Sequence, residues 1–179
     1  MYYPLMLNVK GEPCLVVGGG PIALQKARAL RKAGADVTVV SPAFTPAFRR
    51  VRVRRLRRRF RAGDVARRIL VVAATDSPDV NRAVSAACRK RGIPVNVVDV
   101  PELCSFIVPA ILRRGPVVIA ISTSGRSPAL AKALRRRLDA ILPASLARTA
   151  RRLGAARRRI LRALPPSAAR TRLLKGLVR

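Results

Sequence analysis

In a chain without histidine, carboxylate is the available type of general base. This chain has 179 residues, no histidine, and 8 acidic side chains against 38 basic ones. Among the acids, Asp99 is distinctive because it ends the run Val95-Asn96-Val97-Val98. A strand that ends on a carboxylate delivers it where open α/β sheets bind ligands. There it can serve as a general base, or it can cap the loop and nothing more. Asp76 follows the apolar run Ile69 to Ala74 in the same way, after Thr75. Asp79 and Asn81 open the next periodic stretch, where N-capping accounts for Asp79 without any function. The missing histidine also removes every histidine-ligated metal centre. Cys14, Cys88 and Cys104 are widely spaced and odd in number, which predicts buried reduced thiols in a cytoplasmic protein and no metal site.

The second chemically informative stretch is Gly18-Gly19-Gly20-Pro21-Ile22-Ala23. It follows the strand-like Pro13 to Val17 and opens a segment with apolar residues at helical spacing. That context makes it a dinucleotide fingerprint with alanine at the third small position. Gly18 permits the tight turn, Gly20 lets the backbone approach a pyrophosphate, and Ala23 lets helix and strand pack closely. The helix start then offers N–H groups and a positive dipole end to the phosphates. The following strand ends at Ser41, where the fingerprint usually carries an acid on the ribose 2′-OH. Ser41, Pro42, Ala43 and nearby backbone would take that role here. The expected cofactor is NAD, held by Gly18, Gly19, Gly20, Pro21, Ile22, the Ser41–Ala43 turn, Thr75 and Asp76.

These residues need a scaffold, and the pattern supplies an α/β one. Strands are predicted over Leu5 to Val9, Pro13 to Val17, Asp36 to Val40, Ile69 to Ala74 and Val95 to Val98. Helices are predicted over Pro21 to Ala33, stopped by Gly34, and over Asp79 to Arg91, stopped by Gly92. Strands alternating with helices imply a Rossmann-type parallel sheet. After Pro109 the pattern changes. Pro116 to Ile121 reads as a strand and Ser122 to Gly125 as a turn. Ser127-Pro128 reads as an N-cap with proline at the first helical position, opening a helix to Leu142. The remainder, 143–179, predicts one or two short basic helices broken at Pro165-Pro166.

The net charge is +30, carried mostly by arginine. Such a charge favours polyanionic partners. Aromatic residues are only 3% and tryptophan is absent, so stacking platforms for nucleic acid bases are scarce, and nucleic acid is not the expected partner. The block 49–61 alternates partly between apolar and basic residues. It predicts a solvent-facing edge strand whose charge discourages strand-to-strand association. No uncharged apolar run is long enough for a membrane span, and residues 1–8 lack the basic start of a signal peptide.

Beyond the glycine turn, a series of motifs stands in one order. They are Pro4 to Leu7; Val16 to Ala23 with Lys26-Ala27; Ala33-Gly34-Ala35 with Val37 to Val40; Ala73 to Asp76 with Asn81; Asn96 to Asp99; Ser105 to Ala110; and Ser122 to Leu130. In this series the chain resembles the precorrin-2 dehydrogenase family, the NAD-dependent module of siroheme synthases. The resemblance implies NAD-dependent oxidation of precorrin-2, a reduced tetrapyrrole with eight carboxylates, to sirohydrochlorin. It implies that Asp99 is the residue used in dehydrogenation. Substrate contacts are then expected at Asn96, Thr123, Ser124, Gly125 and Arg126; by their chemistry Arg113, Arg114 and Arg126 are candidates for bidentate pairing with its carboxylates, or are simple surface charge. It also implies a homodimer. The expected domains are 1–110 for NAD binding, 111–142 for dimerisation, and 143–179 as a basic helical tail. Two alternatives stand beside this: a bifunctional dehydrogenase and ferrochelatase, and a non-catalytic NAD-sensing or nucleic-acid-binding module.

Overall fold

The structure is a computed structural model that describes residues 2–177. It divides into two compact units, Met1–Val108 and Pro109–Arg179.

The first unit is built on a five-stranded sheet. In chain order it contains β1 (Pro13–Val17), α1 (Pro21–Lys32), β2 (Asp36–Ser41), β3 (Arg54–Arg57), β4 (Leu70–Ala73), α2 (Pro78–Arg89) and β5 (Val95–Val97). The sheet order is β3-β2-β1-β4-β5, with every pairing parallel. The chain winds outward from β1 to β3 on one side, then restarts at β4 on the other. β1 and β4 therefore flank the switch point where such sheets open a crevice at their carboxyl ends.

The strand sequences explain this arrangement. Parallel strands buried on both faces need apolar residues at every position, and Leu15-Val16-Val17, Val39-Val40 and Val71-Val72-Ala73 are all buried. One face packs Cys14, Val16, Val37 and Val39 against Ala23 and Ala27 of α1. The other packs Leu15, Val17, Val71 and Val95 against Val84 and Cys88 of α2. Burial of each such branched side chain is worth about 1.5–3 kcal/mol. The same burial pushes the Cys14 and Cys88 thiols up to about 11, so both stay protonated at neutral pH and behave as packing groups.

Three local expectations are corrected here. Leu5 to Val9 forms no strand: Leu5, Met6 and Leu7 are exposed and only Val9 is buried. A strand persists only through a hydrogen-bonded neighbour, and no described strand pairs with this segment. The arginine block is an edge strand only over Arg54–Arg57, preceded by a 3-10 turn over Pro46–Arg50 that buries Phe48. The cap of α2 is Ser77, whose hydroxyl accepts from Val80 N (3.4 Å), with Pro78 at the first helical position. Asp79 instead faces outward and pairs with Arg82.

The second unit opens with an antiparallel hairpin, β6 (Ala110–Arg114) and β7 (Val117–Ile121). β6 was not expected from the sequence. The two-residue loop Gly115-Pro116 closes the hairpin. Gly115 has φ +59°, and a side chain there would meet Ala147 Cβ at 2.8 Å. Three helices follow: α3 (Pro128–Ile141), α4 (Leu146–Ala163) and α5 (Ala168–Gly176). α3 is capped by Ser127, which accepts from Leu130 N at 3.2 Å. The tail is more helical than expected, since α4 alone runs 18 residues before the break at Pro165-Pro166. Arg114 is committed to Asp139, at 2.5 Å side chain to side chain, so it is not a free carboxylate partner. No helix of the described chain is long and apolar enough to cross a membrane.

Candidate functional site

At the carboxyl ends of the first unit's strands lies a cleft of about 1480 Å³. That exceeds the roughly 300–1,000 Å³ of a typical small-ligand pocket, and it gives room for a dinucleotide together with part of a second ligand.

The floor is the glycine turn. Gly18 N donates to Val40 O (2.9 Å), and Ala74 N donates to Val17 O (2.8 Å), so the turn is pinned between β2 and β4. Gly18 has φ +124°, and a Cβ there would lie 2.1 Å from Ala74 O. Gly19 packs against the far side of the crevice, where a Cβ would lie 1.8 Å from Ala43 O; Thr45 N also donates to Gly19 O (3.0 Å). Gly20 is different, with nothing within 4 Å of its Cβ position. It is the N-cap of α1, supplies no side-chain cap, and is followed by Pro21. The first-turn donors of α1 are therefore uncapped at the edge of open space that an added Cβ would enter. A pyrophosphate fits a cradle of this kind.

All the residues expected around the cofactor line this cleft: the three glycines, Pro21, Ile22, Ser41, Pro42, Ala43, Thr75 and Asp76. Asp99 lines it too. Thr75 is fixed by a pair of contacts with Asn81: its hydroxyl lies 2.8 Å from Asn81 Oδ1, and Asn81 Nδ2 donates to Thr75 O at 3.1 Å. The head of α2 is thereby tied to the loop after β4.

Asp99 sits just past β5 with φ +59°. A non-glycine residue in that region costs on the order of 1 kcal/mol, less for aspartate than for most residues. The turn is held from outside. Val98 N donates to Ala73 O (2.9 Å), and Cys104 Sγ lies 3.1 Å from both Val97 N and Val97 O. Asp99 is exposed and lines the cleft. Half-buried Lys26 on α1 feels its charge: burial pushes the ammonium down, while Asp99 and Cys104 oppose the shift.

Asn96 does not line the cleft. It is 7% exposed, and its amide donates to Phe106 O (3.1 Å), bracing the segment after β5. In the second unit, Thr123 exchanges hydrogen bonds with Ser127: its hydroxyl accepts from Ser127 N (2.9 Å) and donates to Ser127 O (3.0 Å). Ser124 and Gly125 take positive φ, at +54° and +81°. Arg126 is exposed, and its backbone N donates to Thr123 O. These four residues form a tight turn at the start of α3.

Several residues that line the cleft carry no sequence signal of it, Arg59 and Glu102 among them. The arginine block reads in the sequence as a solvent-facing edge strand, yet Arg59 lines the crevice beside Phe60. Its neighbour Arg58 does otherwise, forming a two-pronged pair with Asp64 at 2.6 and 2.8 Å. That pair holds the Asp64 carboxyl below the usual carboxylate range. Nothing in the run of arginines distinguishes one from the next; the distinction comes from the end of β3.

Comparison with known proteins agrees with this geometry. The family described as putative NAD(P)-binding matches residues 5–110, and the one described as sirohaem biosynthesis protein central matches residues 114–141. The siroheme synthase of Thioalkalivibrio sulfidiphilus is 50% identical over 153 residues, which is 83% of this chain and 31% of that protein. The siroheme synthase of Methylobacillus flagellatus is 48% identical over 151 residues, 82% of this chain and 32% of that protein. The chain thus spans about a third of the length of the curated relatives it matches. Among solved structures, the precorrin-2 dehydrogenase SirC superposes with a TM-score of 0.78 at 28% identity, over 99% of this chain and 90% of that one. The chain belongs to the family described as putative NAD(P)-binding.

Proposed function

We propose that this chain is an NAD-dependent precorrin-2 dehydrogenase, oxidising precorrin-2 to sirohydrochlorin. The observation that carries the reading is the position of Asp99. Asp99 lines the same cleft as the Gly18-Gly19-Gly20 turn, with its backbone at φ +59°. Costly conformations of this kind concentrate where geometry serves chemistry.

NAD, when bound, supplies the acceptor for a hydride leaving the substrate. The chain's own residues do the rest. Gly20 and the uncapped start of α1 hold the pyrophosphate, and Ser41 and its turn border the ribose. Loss of hydride from a saturated carbon pair must be matched by loss of a proton, and the Asp99 carboxylate accepts it. The exposed Arg126 guanidinium offers a carboxylate two parallel N–H donors. The net charge of +30 draws an octa-carboxylate toward the protein.

The test is direct. Purified protein given precorrin-2 and NAD should produce NADH and sirohydrochlorin in equal amounts, followed by absorbance. Cofactor binding with no turnover of precorrin-2 would leave a dinucleotide-binding protein and remove this reaction.

The proposed assembly is a homodimer through the second unit. Among its described apolar residues only Leu112 and Ala131 are buried, while Ile111, Leu130, Leu134 and Ile141 are exposed. A second copy covering these residues would complete the unit's core. Light scattering on the purified chain should return twice the 19.4 kDa chain mass; a monomer at micromolar concentration would refute the assembly.

A further inference from the structure

We infer that the cleft accepts a dinucleotide carrying a 2′-phosphate, NADP, at least as tightly as NAD, and that Arg59 is the residue that receives the phosphate. This rests on the dinucleotide occupying the cleft as proposed above.

Three observations converge at one end of the crevice. First, the strand that borders the adenosine ribose in this fold, β2, ends on Ser41 and not on a carboxylate. The usual carboxylate at this point accepts from the 2′-OH and repels a 2′-phosphate. No acid occurs anywhere between Asp36 and Asp64. The carboxylates that do line the cleft, Asp76, Asp99 and Glu102, follow β4 and β5 on the opposite side of β1. Second, the strand register places an arginine there. β3 runs parallel to β2 with Arg57 level with Ser41. Arg59 lies two residues further toward the ligand end and is among the residues that line the cleft, with Ser41 and Ala43. Third, Arg59 is available. Among the described residues the ion pairs are Arg58 with Asp64, Arg82 with Asp79, and Arg114 with Asp139, so its guanidinium is not neutralised. Its backbone is anchored, because Arg58 Nη1 donates to Arg59 O at 3.1 Å.

The chemistry follows from charge. A phosphate monoester is close to a dianion at neutral pH, and a guanidinium offers it two parallel N–H donors. A site with no carboxylate and one unpaired arginine gains from the phosphate and has nothing that repels it. The 2′-OH of NAD loses only the carboxylate contact that most NAD-specific sites supply.

Calorimetric titration of NAD and of NADP into the full chain, and into Arg59→Ala and Arg59→Lys, decides the matter without an activity assay. The wild type should bind NADP with a Kd equal to or below that for NAD. Arg59→Ala should raise the ratio of the NADP Kd to the NAD Kd at least tenfold, and Arg59→Lys should restore part of it. Melting curves check that the exposed substitutions leave the fold intact. Binding of NAD with NADP tenfold weaker in the wild type would overturn the inference and leave the proposed function standing. An equal loss of both dinucleotides in Arg59→Ala would also overturn it. Binding of neither dinucleotide to the wild type would sink both readings.

Discussion

Asp99→Asn is expected to lower kcat for precorrin-2 oxidation by roughly 10²–10⁴-fold, the usual contribution of a positioned general base. Asparagine is the informative replacement because of the backbone. Residue 99 has φ +59°, a conformation that asparagine adopts about as readily as aspartate, whereas alanine would add on the order of 1 kcal/mol of strain. The turn is secured by backbone and Cys104 contacts that do not involve the carboxylate. The variant should therefore melt with the wild type and bind NAD with unchanged affinity, having lost only its proton acceptor. Turnover within tenfold of wild type would take Asp99 out of the reaction. Lys26 supplies a second readout, since the Asp99 charge opposes the downward push of burial on that ammonium. Removing the charge should lower the Lys26 pKa further.

The glycine turn yields the other large effect, through a contrast among three adjacent residues. Gly18→Ala forces a Cβ to 2.1 Å from Ala74 O and holds alanine at φ +124°, while Gly19→Ala forces one to 1.8 Å from Ala43 O. Both obstacles are backbone oxygens in the crevice walls, so no side-chain rotation relieves them. Each substitution should destabilise the protein by on the order of 3 kcal/mol and lower Tm by about 10 °C. Gly20→Ala meets nothing within 4 Å and keeps an ordinary φ of −80°. Alanine is the poorer N-cap, by several tenths of a kcal/mol, but it restricts the unfolded chain by a similar amount, and the two effects offset. Its Tm should match the wild type within a few degrees. Equal melting of all three variants would mean that the turn is not wedged between β2 and β4 as described.

Much of this site was legible in the sequence because it rests on local rules. Valine-rich runs bounded by glycine or Ser-Pro mark strands buried on both faces. Glycines after one such run mark the turn, and an aspartate ending another marks the edge of the crevice. The Ser127-Pro128 signature placed the start of α3 correctly. The same signature at Ser77-Pro78 went unused because Asp79 offered a competing cap. β6 was missed although Gly115-Pro116 between two apolar runs is a hairpin signal: two of its five residues are arginines, which weakened the pattern. The role of Arg59 was out of reach for a different reason. In a block where nine of thirteen residues are arginine, identity carries no information; what separates Arg59 from Arg58 is register across β2 and β3 and the reach of Asp64. Gly19 was placed at the cofactor without a reason for being glycine, because the constraint comes from Ala43, far away along the chain.

The central physical claim is that the backbone at residue 20 grips a pyrophosphate. Titrating NAD calorimetrically into the wild type and into Gly20→Ala tests it most directly, because this substitution leaves the fold alone and fills only the open cradle. At least a tenfold weaker Kd, about 1.4 kcal/mol, is the predicted result. Undiminished affinity in a folded Gly20→Ala protein would show that the phosphates lie elsewhere and would contradict the account.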